Sequence, residues 1–152
     1  HSFGVHFFVD DYRFVPVYEK PELCYTKLKP YRILFAPDFS LYREMQPWRR
    51  IESIGKSRWC GAFWQSKGSL VIATISWSSP ESFEYAFDGV EKGAIVAIGT
   101  IGCKSSKSSF LKGFYAMQEK IEPSRIVCFG SPFPEMQSSK LVVIDYVKSW
   151  RG

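Results

Sequence analysis

Short apolar runs alternate with amphipathic stretches along this chain. Runs rich in β-branched and aromatic residues fall at Val5–Val9, Arg32–Ala36, Leu70–Ser76, Ala94–Gly99, Arg125–Phe129 and Leu141–Asp145. Runs of this length and composition predict strands. Most are continuously apolar rather than alternating, the pattern of strands covered on both faces in a parallel sheet. Helical segments lie between them. Pro21–Lys29 opens with a proline suited to the first helical position. Met45–Ser66 carries Trp48, Ile51, Gly55, Trp59 and Phe63 near one face, and Gly55 weakens it enough to allow two pieces. Ser79–Ser82 combines an N-cap serine, a proline and an early acid. Ser105–Glu122 places Phe110, Phe114, Met117 and Ile121 on one core-facing stripe, and Pro123 stops it. The alternation predicts an α/β fold over residues 1–152. Its sheet is mostly parallel, of about six strands flanked by helices, either open and layered or a partial barrel.

Composition agrees with a folded chain of ordinary domain size: 152 residues, 45% hydrophobic and 17% aromatic, which excludes a disordered or collagen-like chain. No apolar run reaches the length of a membrane span, and no basic-then-apolar leader is recognised. The expectation is a protein without a membrane segment, in the cytoplasm. The four cysteines, at 24, 60, 103 and 128, form no Cys-x-x-Cys pair, which argues against structural zinc. Cys60, Cys103 and Cys128 sit in apolar surroundings and are expected to be small buried hydrophobes. The formal net charge is +5, and Lys20 to Lys67 holds ten cations against four acids. Such an excess favours acidic partners such as nucleic acid or nucleotides, or is simply a solvated basic surface.

In open parallel sheets ligands bind beyond the carboxyl ends of the strands. Those ends carry Asp10, Asp11 and Tyr12, then Asp38 and Ser40, with Tyr42 close by. Trp77 follows the third strand; Thr100, Gly102, Lys104 and Ser105 follow the fourth; Gly130 and Ser131 follow the fifth. Asp11 and Asp38, with Asp10, are the candidate carboxylates, to hold Mg²⁺ or to act as a general base. The same residues equally serve as turn and cap residues. The glycine-bearing turn Thr100–Ser105 resembles an anion-binding strand-to-helix turn but satisfies neither phosphate-loop pattern. Histidine chemistry has almost no material, since only His1 and His6 are present. Arg49 and Arg50 stand beside Trp48, and interleaved bases and aromatics can contact nucleic acid, although a stripe at helical spacing is more often core.

The runs Phe8–Tyr12 and Ala36–Tyr42, Trp77, and the spacing to Phe87–Gly89, Gly99–Gly102 and Phe129–Ser131 resemble those of the bacteriophage and mobile-element proteins grouped as domain-of-unknown-function family 4417. The resemblance runs from about Phe3 to about Glu135, and Pro37-Asp38-Phe39-Ser40-Leu41-Tyr42 is its most specific piece. It implies a phage or prokaryotic origin and an intracellular setting, and supplies no reaction.

The functional expectation is a phage or mobile-element protein that acts on or binds nucleic acid or a nucleotide. Asp11 and Asp38 would supply catalysis or metal binding. Asp10, Tyr12, Ser40, Tyr42, Trp77, Thr100, Gly102, Lys104, Ser105, Gly130 and Ser131 would bind ligand, and Arg49 and Arg50 would contact nucleic acid. The alternative is a non-enzymatic binding module: an inhibitor of a host-defence protein, a DNA-binding factor or a small-ligand sponge.

Overall fold

A computed structural model describes residues 3–146. The chain divides into two compact units, His1–Thr74 and Ile75–Gly152.

The N-terminal unit holds strands β1 (Gly4–Val5), β2 (Ile33–Phe35) and β3 (Leu70–Thr74), and helices α1 (Pro16–Glu19), α2 (Pro21–Leu28) and α3 (Pro47–Ser66). β2 pairs in parallel with β1, Gly4 opposite Ile33, and with β3, Leu34 opposite Val71. Prolines at the first helical position open all three helices, where a missing N–H costs nothing. Gly55 does not break α3, which runs as one 20-residue helix; a side chain at Gly55 would meet only open space. The core joins Phe7, Phe14, Val17, Leu28, Leu34 and Trp64, with Phe7 stacked on Trp64 at 5.6 Å.

The C-terminal unit holds α4 (Phe83–Ala86), β4 (Ile95–Gly99), α5 (Lys107–Ile121), β5 (Arg125–Phe129) and β6 (Leu141–Ile144). β5 pairs in parallel with both neighbours, Val96 opposite Ile126 and Cys128 opposite Val143. The α5 stripe Phe110, Phe114, Met117 and Ile121 is buried as expected. Glu122 caps this helix in the left-handed conformation at φ 48°, and Pro123 cannot continue it. Gly113 lies on the inward side of α5, where Trp77 packs: a Cβ at Gly113 would clash with Nε1, Cδ1 and Cε2 of the indole.

The α/β class and the parallel pairing expected from the continuous apolar runs are both present. Three local expectations are corrected. The first run pairs as a strand only over Gly4–Val5, and Phe7 and Phe8 beyond it are core side chains of an irregular segment. The inward face of α3 is Arg50, Ser57, Cys60, Gly61 and Trp64, while Trp48, Ile51 and Trp59 are exposed. The helix approaches the strands closely through small residues, with Val71 Cγ1 and Ala36 Cβ within 3.7 Å of a Cβ placed at Gly61, so its larger aromatics are left outside. Cys103 is half-buried, unlike Cys60 and Cys128.

Candidate functional site

The segments that follow β1 and β2 are tied together by one carboxylate. Asp11 opens a 3₁₀ turn, Asp11–Arg13, whose carbonyl accepts the N–H of Phe14 and of Val15 and so leads the chain into α1. Its side chain reaches Ser40. The Ser40 N–H donates to both Asp11 oxygens, at 3.0 and 3.2 Å, and the Ser40 hydroxyl donates to Oδ1 at 2.8 Å. With its proton so placed, Ser40 Oγ accepts from the Tyr42 hydroxyl at 3.1 Å. The Ser53 hydroxyl of α3 donates to the Ser40 carbonyl at 2.9 Å. Every polar group of Ser40 is thereby engaged, and the turn is fixed to both α3 and the β1 end.

Beside this clamp lies a cleft of about 220 Å³. Arg49, Glu52, Ser53 and Lys56 line one wall at i, i+3, i+4 and i+7, one face of α3. Val15, Tyr18 and Glu19, with Asp11, Phe39, Ser40 and Met45, make up the rest of the lining. Lys56 pairs with Glu52 at 3.1 Å and lies 5.2 Å from the Tyr18 ring and 6.0 Å from that of Phe39. The lining holds three carboxylates and two cations. Two carboxylates are engaged, Asp11 by Ser40 and Glu52 by Lys56, and the Glu19 carboxylate makes no hydrogen bond or ion pair among the described residues.

The remaining sequence-predicted residues are distributed as follows. Asp10 and Tyr12 are exposed beside Asp11, and Asp38 is half-buried two residues before Ser40. Arg49 is exposed, its guanidinium 5.9 Å from the Trp48 ring, whereas Arg50 is buried at 5% exposure on the inward face of α3. In the C-terminal unit, Thr100 is buried: its N–H donates to the Phe129 carbonyl at 3.0 Å and its hydroxyl reaches the same oxygen at 3.4 Å. Gly130, at φ 101°, lets the chain pass so close that a Cβ there would meet Thr100 Oγ1 at 2.7 Å. Gly102, Lys104, Ser105 and Ser131 are exposed. Trp77 is half-buried, its ring 5.0 Å from Phe110 and 6.2 Å from Phe87.

Burial pushes the Cys60 thiol up to about 12 and the Cys128 thiol up to about 11, keeping both as inert thiols. Among the described residues, no three His, Cys, Asp or Glu side chains gather as the ligands of a metal ion would. No helix among them is long and apolar enough to cross a membrane.

Sequence reasoning named Asp11, Ser40 and Arg49 of the cleft but passed over Val15, Tyr18, Glu19, Met45, Glu52, Ser53 and Lys56. The signal for part of that set was present in the spacing of Arg49, Ser53 and Lys56, which puts a polar face on the helix.

An α/β chain with parallel strands, a carboxylate-clamped turn and a small mixed-charge cleft is thus defined. The chain belongs to the family described as domain of unknown function DUF4417, which it matches over residues 2–147. It is 38% identical over 130 residues to the Gene 1 protein of Mycobacterium phage D29, covering 84% of this chain and 48% of that protein. The Gene 1 protein of Mycobacterium phage L5 is 37% identical over 130 residues, covering 84% and 57%. The chain therefore spans about half the length of these phage relatives. No solved structure matches it. Two of the runs that carry the family resemblance, Phe8–Tyr12 and Ala36–Tyr42, are joined by the Asp11–Ser40 clamp.

Proposed function

We propose that this phage-related chain is a nucleic-acid- or nucleotide-binding module of the bacterial cytoplasm, and that Asp11 serves it as a structural clamp rather than as a catalytic base. The observation that carries the reading is the cleft beside α3. An aromatic pair, Phe39 and Tyr18, and an exposed cation, Arg49, line a space of about 220 Å³. Clefts for drug-sized ligands run from about 300 Å³ upward, so this one suits a single ring system. Rings supply stacking surface and the guanidinium supplies a phosphate contact. The basic excess of the N-terminal half supports the same class of ligand.

The test is a titration of the chain with dCMP and with a ten-nucleotide oligo-dC at about 50 mM salt, with and without Mg²⁺. Saturable binding that weakens about tenfold in Arg49→Ala, with a shallower salt dependence, is the expected result. Absence of saturable binding to either ligand, or an unchanged affinity in Arg49→Ala, overturns the reading.

A further inference from the structure

Resting on the reading above, we propose that the ligand is a single strand, with one base entering the cleft and the next stacking on the exposed face of Trp48. Trp48 is 64% exposed at the start of α3, although a tryptophan is among the costliest side chains to leave in water. It adjoins the cleft through its neighbour Arg49, whose guanidinium is 5.9 Å from the indole centroid and which itself lines the cleft. Tyr42, also exposed, is tied by its hydroxyl to Ser40 in the cleft wall.

Glu19, exposed in the lining, has a carboxylate that makes no hydrogen bond or ion pair among the described residues and is an acceptor suited to the exocyclic amine of a base. Arg43 in the turn 42–45 and Arg49 are exposed and, among the described residues, in no ion pair, and the first turn of α3 holds no acid. Arginines in this state are available to successive phosphates. A free nucleotide would use the cleft and Arg49 but leave Trp48 bare. A duplex would present neither a splayed base nor a ring face.

The experiment compares Trp48→Ala with the wild-type chain against dCMP, oligo-dC and oligo-rC of ten nucleotides, and a blunt DNA duplex of ten base pairs. Trp48 is exposed, so the variant keeps its fold, checked by circular dichroism. The expected result has three parts. A ten-nucleotide strand, of DNA or RNA, binds at least tenfold more tightly than dCMP. Trp48→Ala lowers that affinity at least fivefold and leaves dCMP binding unchanged. The duplex binds more weakly than the strand. Unchanged strand affinity in Trp48→Ala, or a duplex that binds as well as the strand, overturns the inference while leaving the cleft reading intact. Failure of both dCMP and strands to bind the wild type overturns both.

Discussion

Both units join the ends of neighbouring strands across 29 residues of sequence, and they do it with different chemistry. In the N-terminal unit a side chain makes the bridge, Asp11 to Ser40. In the C-terminal unit the backbone makes it, Thr100 N–H to the Phe129 carbonyl, with Gly130 allowing the close approach. A side-chain bridge holds its two segments a carboxylate's length apart, and a cleft opens next to Asp11. A backbone bridge brings the segments into contact, and at Gly130 there is no room even for a methyl group. Thr100 and Gly130 are therefore consumed by packing, while Ser40 and Arg49 border usable space.

The contrast can be broken unit by unit, because each carries one fully buried thiol, Cys60 in the first and Cys128 in the second. The rate at which a thiol reagent labels each, relative to the unfolded chain, reports the opening of its own unit. The largest effect is expected from Gly113→Leu. Its side chain would occupy the Trp77 indole, and overpacking of this kind costs about 3 kcal/mol. The urea midpoint should fall and Cys128 labelling accelerate while Cys60 stays protected. Equal loss of protection at both cysteines would mean the units do not open separately.

Asp11→Ala should act on the other side. It leaves the Ser40 N–H and hydroxyl without their acceptor, at a cost of about 1–3 kcal/mol. Cys60 labelling should accelerate and Cys128 labelling should not. Asp11→Asn keeps an acceptor oxygen, so it should lose less. Equal losses in the two variants would show that the carboxylate charge, not the hydrogen bonding, makes the clamp.

The parts of this arrangement visible in the sequence are those where burial and hydropathy coincide. α5 was legible because its inward residues, Phe110, Phe114, Met117 and Ile121, are large and apolar. The face of α3 was not, because its inward residues include Ser57, Cys60 and Gly61, chosen for close approach rather than hydropathy. The turn at Asp10–Asp11 was legible as one of two readings of those acids, whereas the short α1 was missed because it has no polar side-chain cap and only Pro16 marks its start. Asp11 and Ser40 were both recognisable as strand-end polar residues. That they bond to each other follows from the parallel pairing of β1 with β2, which sets their two segments side by side. Spacing alone gave Asp11 no reason to prefer Ser40 over Asp38.

The smallest effect sharpens the comparison through pH. His6 lies in the N-terminal unit, and the C-terminal unit has no histidine. Burial lowers the His6 pKa below its ordinary 6.5, and the neutral ring accepts the Phe8 N–H on Nδ1 at 3.3 Å. As pH falls below 6.5 the unfolded chain takes up a proton that the folded chain refuses, so unfolding becomes easier. The contribution is fully present above 6.5 and is lost on acidification toward the lowered folded value. Lowering the pH from 7.5 to 5.5 should therefore raise Cys60 labelling relative to the unfolded control more than Cys128 labelling. His6→Asn can still accept from Phe8 but does not titrate, and it should remove that difference. If the difference survives in His6→Asn, the pH dependence belongs to carboxylates and the histidine has no part in it.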